Sequence, residues 1–328
     1  MAAGSGIVAL GSAPLVVTLG AFLGMLNAMG RDRGAAPVIE QAALPGTVAD
    51  RARTRAFAGY GALQDAGHVA GSLMAAIPGL VASHTSLPET SANRLSLGVV
   101  PLFAVIALGL YLFLSPGVDA GRGLHVGGRV TLRTRRVLWR CSALFSLDGL
   151  GGGLLLTSLL AYFFFERFGA SAPAVAGLLS AARVVNLGSN FLAAWLAARV
   201  GLVNTMVFTH IPSSLLLVGV ALVPSFAWAV ALFLARETVA KMDVPTRQSY
   251  LMAIVEPEAR VVVAGVTDVV RLVAWALGPM LAGWLMTVSL VSPLLAGAAI
   301  KIVYDLLLYR AFRHVRPPEE RTAPAPGR

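Results

Sequence analysis

The chain has 328 residues, of which 57% are hydrophobic and only 13% are charged. Soluble domains carry about 25% charged residues, so this composition excludes an ordinary soluble protein and indicates an integral membrane protein. The formal net charge of +10 does not indicate nucleic-acid binding, because the basic residues lie beside apolar segments and not on an aromatic-studded face.

Nine apolar segments are candidates for membrane-spanning helices. A helix needs about 20 mostly apolar residues to cross a hydrocarbon core of roughly 30 Å. In chain order the segments are 12–30, 56–82, 96–115, 137–165, 172–198, 202–223, 226–242, 262–287 and 292–312. The sequence therefore predicts an all-α membrane protein with nine transmembrane helices.

The basic residues are distributed unevenly among the connections between these segments. Most of the 26 Lys and Arg residues fall in every second connection or in the C-terminal tail. By the positive-inside rule, those connections and the C-terminus face the cytoplasm. We therefore predict a multi-pass protein of the cell membrane, embedded in the lipid bilayer.

The longest basic connection separates three predicted spans from the six that follow. It is rich in glycine and has no apolar run, so we predict a cytoplasmic linker at 116–136. Residues 1–115 then form an incomplete N-terminal half-bundle, a helix stub plus three spans, and residues 137–312 form a complete six-helix bundle. The tail, 313–328, is rich in Pro, Glu and Arg and is predicted to be disordered.

Two cytoplasmic connections resemble each other at an offset of 207 residues, which indicates an internal repeat. Gln41 corresponds to Gln248, and an arginine follows each glutamine twelve residues later, Arg53 in one copy and Arg260 in the other. The repeat is parallel. At this offset the first three helices of the second half have no counterpart in the first, so we predict six plus three spans from an architecture of six plus six.

Two six-helix halves in parallel repeat, joined by a long basic loop, resemble the major facilitator superfamily. Segment 194–201 also resembles a loop motif of that superfamily, since it keeps Leu196, Arg199 and Gly201 but has alanine in place of the motif's first glycine and its aspartate. The resemblance implies a secondary active transporter that moves an unidentified small solute by alternating access, coupled to a proton or another ion. It also implies that the first three transmembrane helices are lacking.

Two other interpretations follow from the missing helices. The chain could be a truncated remnant that does not transport, or a membrane scaffold protein, although nothing in the sequence names a protein partner. An enzyme is not predicted, because the chain has no G-x-x-x-x-G-K-[ST], H-E-x-x-H or G-x-S-x-G motif. Cys141 is the only cysteine, which excludes a cysteine metal cluster, and we predict neither a cofactor nor a metal.

Polar side chains inside spans are the candidates for a substrate or ion pathway. Asp148 lies near the middle of the fourth span and precedes a glycine-rich run, which permits either unwinding or close helix packing. Arg183, Asn186 and Asn190 share one helix face at i, i+3 and i+7. An Asp148–Arg183 ion pair that contacts substrate is one interpretation, and hydrogen bonding between helices is the other.

Two histidines lie within predicted spans. Asp65 and His68, three residues apart, could form a proton site, because a carboxylate stabilises a protonated imidazole; helix packing is the alternative. His210 is predicted to be a hydrogen-bonded structural residue.

Four further charges are close in sequence to an opposite charge. Asp268 and Arg271 are three residues apart and Lys301 and Asp305 are four apart, so each pair is predicted to satisfy itself along one helix.

The connection after the seventh span contains Asp243 and Arg247. We predict an ion pair between them at helix ends, with a substrate role as the alternative. Together with Arg53 and Arg260, they are the candidates for a cytoplasmic gate or a contact between the two halves.

Overall fold

The computed structural model describes residues 2–11, 13–24, 34–74, 77, 84–85, 88–114, 131–315 and 317–321. Its regular elements are all helical, and these ranges contain no β-strand, which agrees with the predicted all-α class. The chain divides into two compact units, Met1–Glu40 with Ala66–Ala120 and Gln41–Asp65 with Gly121–Arg328. The second unit therefore includes residues 41–65, which the sequence assigns to the N-terminal half-bundle.

The helices are α1 (Ala2–Leu10), α2 (Pro14–Leu23), α3 (Ala35–Ala43), α4 (Arg53–Met74), α5 (Glu89–Leu112), α6 (Leu132–Gly153), α7 (Thr157–Phe168), α8 (Ala172–Val200), α9 (Leu202–Leu222), α10 (Phe226–Ala240), α11 (Asp243–Ile254), α12 (Arg260–Val288), α13 (Ser292–Phe312) and α14 (Pro318–Arg321). Short 3-10 helices lie at Leu44–Gly46, Asp50–Ala52 and Pro257–Ala259. In the first unit α1 packs against α2 and α5.

Five helical segments among the described residues are long and apolar enough to cross a membrane. They are Leu132–Phe168, Ala172–Val200, Leu202–Leu222, Pro257–Val288 and Ser292–Phe312. Pro14–Leu23 and Leu97–Leu112 are shorter apolar helices. The predicted count of nine spans is therefore not confirmed, and residues 25–30 and most of 75–82, which belong to predicted spans, lie outside the described ranges.

Two predicted segments of the second unit differ in detail from the structure. The predicted span 137–165 lies within the candidate span Leu132–Phe168, but its helix is interrupted, because α6 ends at Gly153 and α7 begins only at Thr157. The connection after the predicted span 226–242 is also not a loop. It forms α11, whose side chains are largely buried; Tyr250, for example, is 3% exposed.

An aromatic cluster forms the apolar core of the second unit. Phe163 and Phe164 of α7 are fully buried, and Phe164 packs edge to face against Phe233 of α10 with ring centroids 5.7 Å apart. Leu178 of α8, Leu217 of α9 and Leu294 of α13 belong to the same cluster. These contacts hold five helices together around α7.

Glycines bring α6 into backbone contact with α12. A Cβ atom on Gly149 would lie 2.3 Å from the carbonyl oxygen of Arg271, and one on Gly153 would lie 2.2 Å from that of Trp275. Gly278 meets Gly153 from the other side, where its Cβ would lie 2.3 Å from the Gly153 carbonyl carbon. Gly149 and Gly153 lie on one face, at the spacing of small residues that lets membrane helices approach closely.

The face of α6 that carries Gly151 packs against α13. A Cβ on Gly151 would lie 3.1 Å from Cγ of Lys301 and 3.4 Å from the carbonyl oxygen of Gly297. The glycine-rich run thus packs against two helices at once. Asp148, which precedes it, is thereby positioned between α12 and α13.

The predicted internal repeat is visible in the secondary structure. The 3-10 helices Asp50–Ala52 and Pro257–Ala259 are separated by the predicted offset, and each leads directly into a long helix, α4 or α12. Gln41 and Gln248, the residues that defined the offset of 207, also contact each other. The amide of Gln248 donates to Oε1 of Gln41 over 3.3 Å, as expected of equivalent residues beside a local two-fold axis.

The predicted linker and tail are only partly described. Thr131 caps α6, since its hydroxyl accepts from the Thr134 amide at 3.2 Å, so the last residues of the predicted linker belong to a helix and its cap. The disorder predicted for the tail is wrong for α14, whose Glu320 accepts a 2.7 Å hydrogen bond from the Leu202 amide. Residues 116–130 and 322–328 lie outside the described ranges.

We expect Gly149→Ala to destabilise the protein, because its Cβ would meet backbone that cannot rotate away. Overpacking of this kind costs about 1–3 kcal/mol. Thermal unfolding of the purified protein in detergent measures the effect. Gly177→Ala on α8 is the control, since a Cβ there has no atom within 4 Å; equal melting temperatures for the two variants would contradict the packing argument.

Candidate functional site

The second unit encloses a cluster of charged side chains contributed by five helices. We call it the charge network, and it consists of Asp148 (α6), His210 (α9), Asp243 and Arg247 (α11), Arg271 (α12), and Lys301 and Asp305 (α13). Ionisable groups in the apolar interior of a membrane protein are costly unless they pair, so their convergence marks the candidate site.

Asp148 lies at the centre of the charge network. Its carboxylate is 1% exposed and meets three cations: Arg247 Nη1 and Arg271 Nε lie 2.9 Å from Oδ2, and Lys301 Nζ lies 2.9 Å from Oδ1. Both oxygens are therefore engaged. The close crossing of α6 with α12 and α13 brings two of these cations within reach, and α11 supplies the third.

Arg247 links Asp148 to a second carboxylate. Its Nη1 also lies 3.0 Å from Oδ2 of Asp243, one helical turn earlier on α11. Its guanidinium carbon stacks 5.3 Å from the ring centroid of Phe145, a cation–π contact that accommodates a buried arginine. The ion pair between Asp243 and Arg247 predicted from the sequence is present, and it belongs to a larger network than predicted.

His210 connects the charge network to Asp305. Its Nδ1 lies 2.9 Å from Oδ1 of Asp305, and its Nε2 lies 3.4 Å from Nζ of Lys301. His210 and Asp305 are 3% and 0% exposed. The predicted hydrogen-bonded histidine is thus found, and its partners are charged residues.

Arg271 is the most accessible member of the charge network, with 30% of its side chain exposed. Only its Nε is used, in the contact with Asp148. Among the described residues, neither of its two terminal nitrogens makes a hydrogen bond. These Nη groups form the fork that binds a carboxylate through two parallel hydrogen bonds.

Three members of the network have the composition of a metal site but not its electrostatics. One ligand atom from each of Asp148, His210 and Asp243 lies within 4.8 Å of the others. A divalent cation at that point would lie beside Arg247 and Lys301, which already contact these carboxylates. Repulsion between like charges disfavours the metal, so we assign none to this trio.

A second polar cluster surrounds the two asparagines of α8. Asn186 donates to Oε2 of Glu237 on α10 at 3.0 Å, and Asn190 donates to Oδ2 of Asp65 on α4 at 2.9 Å. Both asparagines are buried, as expected for a polar stripe that avoids lipid. Glu237 was not recognised in the sequence, where its neighbours Arg236 and Lys241 favoured a cytoplasmic helix end. His68 is half-buried one turn beyond Asp65, and a proton site at this pair stays a prediction.

The predicted ion pair between Asp148 and Arg183 is wrong. Arg183 lies on the exposed face of α8, whereas both oxygens of Asp148 contact Arg247, Arg271 and Lys301. Helical periodicity alone placed Arg183 with the asparagines, but a shift of three residues turns a side chain by about 60° around a helix.

The two local ion pairs predicted from the sequence, Asp268 with Arg271 and Lys301 with Asp305, are also wrong. Lys301 contacts Asp148 and His210, while Asp305 contacts His210. Arg271 forms an ion pair with Asp148, and none joins it to Asp268 among the described residues. In each case, the opposite charge nearby in the sequence led to a local pair being predicted, whereas the actual partner lies on another helix.

The remaining gate candidates are Arg53 and Arg260, the two arginines that correspond to each other in the internal repeat. Arg53 is 2% exposed and forms an ion pair with Asp50, and Arg260 donates from Nε to the Met252 carbonyl oxygen over 3.1 Å. Both contacts stabilise helix starts. A gating role for these arginines stays a prediction.

Comparison with known proteins supports the fold. No protein-family model matches the chain. The crystal structure of the human organic anion transporter MFSD10 (TETRAN) matches 94% of this chain and 74% of that chain, with a TM-score of 0.72 and 16% sequence identity. The chain therefore has the fold of that transporter, as the resemblance noted in the sequence predicted.

One relative is itself a membrane protein. The uncharacterized membrane protein YJR124C of Saccharomyces cerevisiae is 24% identical over 156 residues, which cover 47% of this chain. The match spans only 35% of that relative's length. Together with the apolar helices, these findings identify a multi-pass membrane protein; the lack of three helices stays a prediction.

We expect Asp148→Asn to lower stability strongly, because it leaves the buried Arg247 and Lys301 and the partly exposed Arg271 facing a neutral amide. Removing one partner of a buried ion pair costs about 3–5 kcal/mol. Chemical unfolding in detergent micelles measures the loss. Asp268→Asn, which changes a half-buried carboxylate outside the charge network, is the control and should unfold like the wild type; a similar profile for both variants would refute the central role of Asp148.

Proposed function

We propose that this protein is a secondary active transporter of the major facilitator kind, and that it moves a small organic anion by alternating access. The observation that carries this proposal is the charge network, in which three cations converge on the buried carboxylate of Asp148. The fold alone does not determine a function, so the functional assignment rests on the chemistry of this site.

The fold supports transport because two helical halves of this kind rock around a site near the bilayer midplane. Asp148, Arg271 and Lys301 lie well inside the spans Leu132–Phe168, Pro257–Val288 and Ser292–Phe312. Broken helices are common at transporter binding sites, and the break after Gly153 follows Asp148 by about one and a half helical turns.

The charge of the site supports an anionic substrate. Arg271 offers two terminal nitrogens that no described residue engages, and Lys301 lies on the other side of Asp148. A substrate carboxylate or sulfonate could bind to the Arg271 fork while Asp148 keeps the cations in position. A human protein of the same fold, MFSD10, is described as an organic anion transporter.

The proposal includes the finer features expected from the sequence. The protein lies in the cell membrane with its C-terminus in the cytoplasm, and transport is coupled to protons or another ion. Two half-bundles, 1–115 and 137–312, move during alternating access. Asp243, Arg247, Arg53 and Arg260 contribute to closure on the cytoplasmic side, whereas no catalytic residue or cofactor is involved.

Transport by the purified full chain in proteoliposomes tests the proposal. The probes are radiolabelled monocarboxylates, dicarboxylates and sulfonates, with tetraalkylammonium cations and uncharged sugars for comparison. We expect uptake of at least one class of anion above the rate in protein-free vesicles, and exclusion of the cations. The absence of protein-dependent flux for every anion would overturn the proposed function.

Substitution of Arg271 tests the site within the same assay. Loss of a charge-assisted hydrogen bond costs about 1.5–3 kcal/mol, so Arg271→Gln should lower the uptake of the anion by about tenfold or more. Arg183→Gln is the matched control, because Arg183 lies on the exposed face of α8. Equal losses in the two variants would remove Arg271 from the binding site.

A further inference from the structure

Asp305 is the least satisfied carboxylate of the charge network. It is 0% exposed, and its Oδ1 accepts a hydrogen bond from His210. Its Oδ2 is buried and has no hydrogen-bond partner among the described residues. An ionised carboxylate in this position has one oxygen without compensation, and a proton on Oδ2 removes the buried charge.

The hydrogen bonds around His210 define which of its nitrogens carries the proton. A lysine ammonium has only donors, so Nε2, which lies 3.4 Å from Lys301 Nζ, must accept. The proton of the neutral imidazole is therefore on Nδ1, from which it is donated to Asp305 over 2.9 Å. A hydrogen on Nε2 would face the ammonium directly, whereas Oδ2 of Asp305 is a buried acceptor without a hydrogen-bond partner among the described residues.

We propose that Asp305 is the proton-binding site of this transporter, and that a proton on its Oδ2 gives the charge network the single positive charge that a monoanion neutralises. The anion part rests on the proposed function, whereas proton binding rests on the network itself. Transport would then carry one proton with each monoanion and would be electroneutral.

The charge balance of the network supports this stoichiometry. Asp148, Asp243 and Asp305 oppose Arg247, Arg271 and Lys301, and the sum is zero when His210 is neutral. Protonation of Asp305 raises the sum to +1. The groups that face Asp305 are His210 from α9, Lys301 and the buried phenol Tyr304 from its own helix, and Asp243 from α11, with Asp148, Arg247 and Arg271 beyond them.

A chain of hydrogen bonds connects the proton site to the anion site. It runs from Asp305 through His210 to Lys301, and from Lys301 to Oδ1 of Asp148, with successive distances of 2.9, 3.4 and 2.9 Å. Ionised Asp305 polarises His210 and makes Nε2 a stronger acceptor for Lys301. When Asp305 is protonated, Nε2 of His210 is a weaker acceptor for Lys301. Lys301 is then more available to Asp148 and to a bound anion.

Infrared difference spectroscopy of the full chain in lipid vesicles tests proton binding without any substrate. Between mildly alkaline and mildly acidic pH, we expect a carbonyl band of a protonated carboxylic acid to appear. The band should be absent from Asp305→Asn and retained in Asp268→Asn. Asp305→Glu, which keeps the carboxyl group, should restore a band at a shifted position, so the assignment does not depend on one variant.

Nitrogen NMR of histidine-labelled protein tests the tautomer in the wild type. The signal that His210→Gln removes should be that of an imidazole protonated on Nδ1 at alkaline pH. It should remain neutral while the carboxyl band appears. Protonation of His210 in place of Asp305, or a pH-independent Asp305, would overturn the proposal.

Transport measurements separate this proposal from the proposed function. In proteoliposomes, Asp305→Asn is compared with the wild type after net uptake of a labelled monocarboxylate has been normalised to the exchange of labelled for unlabelled substrate in the same vesicles. Asp305→Asn should lose the stimulation of net uptake by an inward proton gradient, which Asp268→Asn keeps. A variant that retains this stimulation refutes Asp305 as the coupling site, whereas flux of no anion in the wild type refutes the transporter and leaves the spectroscopic result standing.

Discussion

The burial of one carboxylate, Asp148, is the constraint on which the rest of the second unit depends. A charge enclosed in an apolar bundle has to be neutralised where it lies, and Asp148 draws cations from α11, α12 and α13 onto one point. Four helices are thus tied together by a single side chain. The tie is possible only because glycines let the backbones of α6 and α12 touch, so the packing and the electrostatics require each other.

The sequence predicted the architecture better than the site. The apolar segments, the alternating basic connections and the offset between Gln41 and Gln248 all depend on chain order and spacing, which a sequence displays directly. Element ends were less accessible: the polar segment after residue 242 had the composition of a loop, and forms α11 because its hydroxyl and charged groups find partners inside the bundle.

The candidate site was only partly predictable, for a related physical reason. Asp148, Asp243 and Arg247 were recognised as candidates because charges are rare within or beside spans. Their partners could not be assigned, because Lys301 and Arg271 each have an opposite charge one turn away, and a local pair is the ordinary explanation of such spacing. Contacts between residues more than a hundred positions apart depend on helix crossings, which a single sequence does not display.

The glycine crossing between α6 and α12 has a mechanical consequence. At most helix interfaces, side chains accommodate small movements of the helices by changing rotamer. At Gly149 and Gly153 there is nothing to rotate, since backbone meets backbone. Any sliding of α12 along α6 must therefore change the distance between Asp148 and Arg271. The strength of this ion pair thus depends directly on the relative position of the two helices.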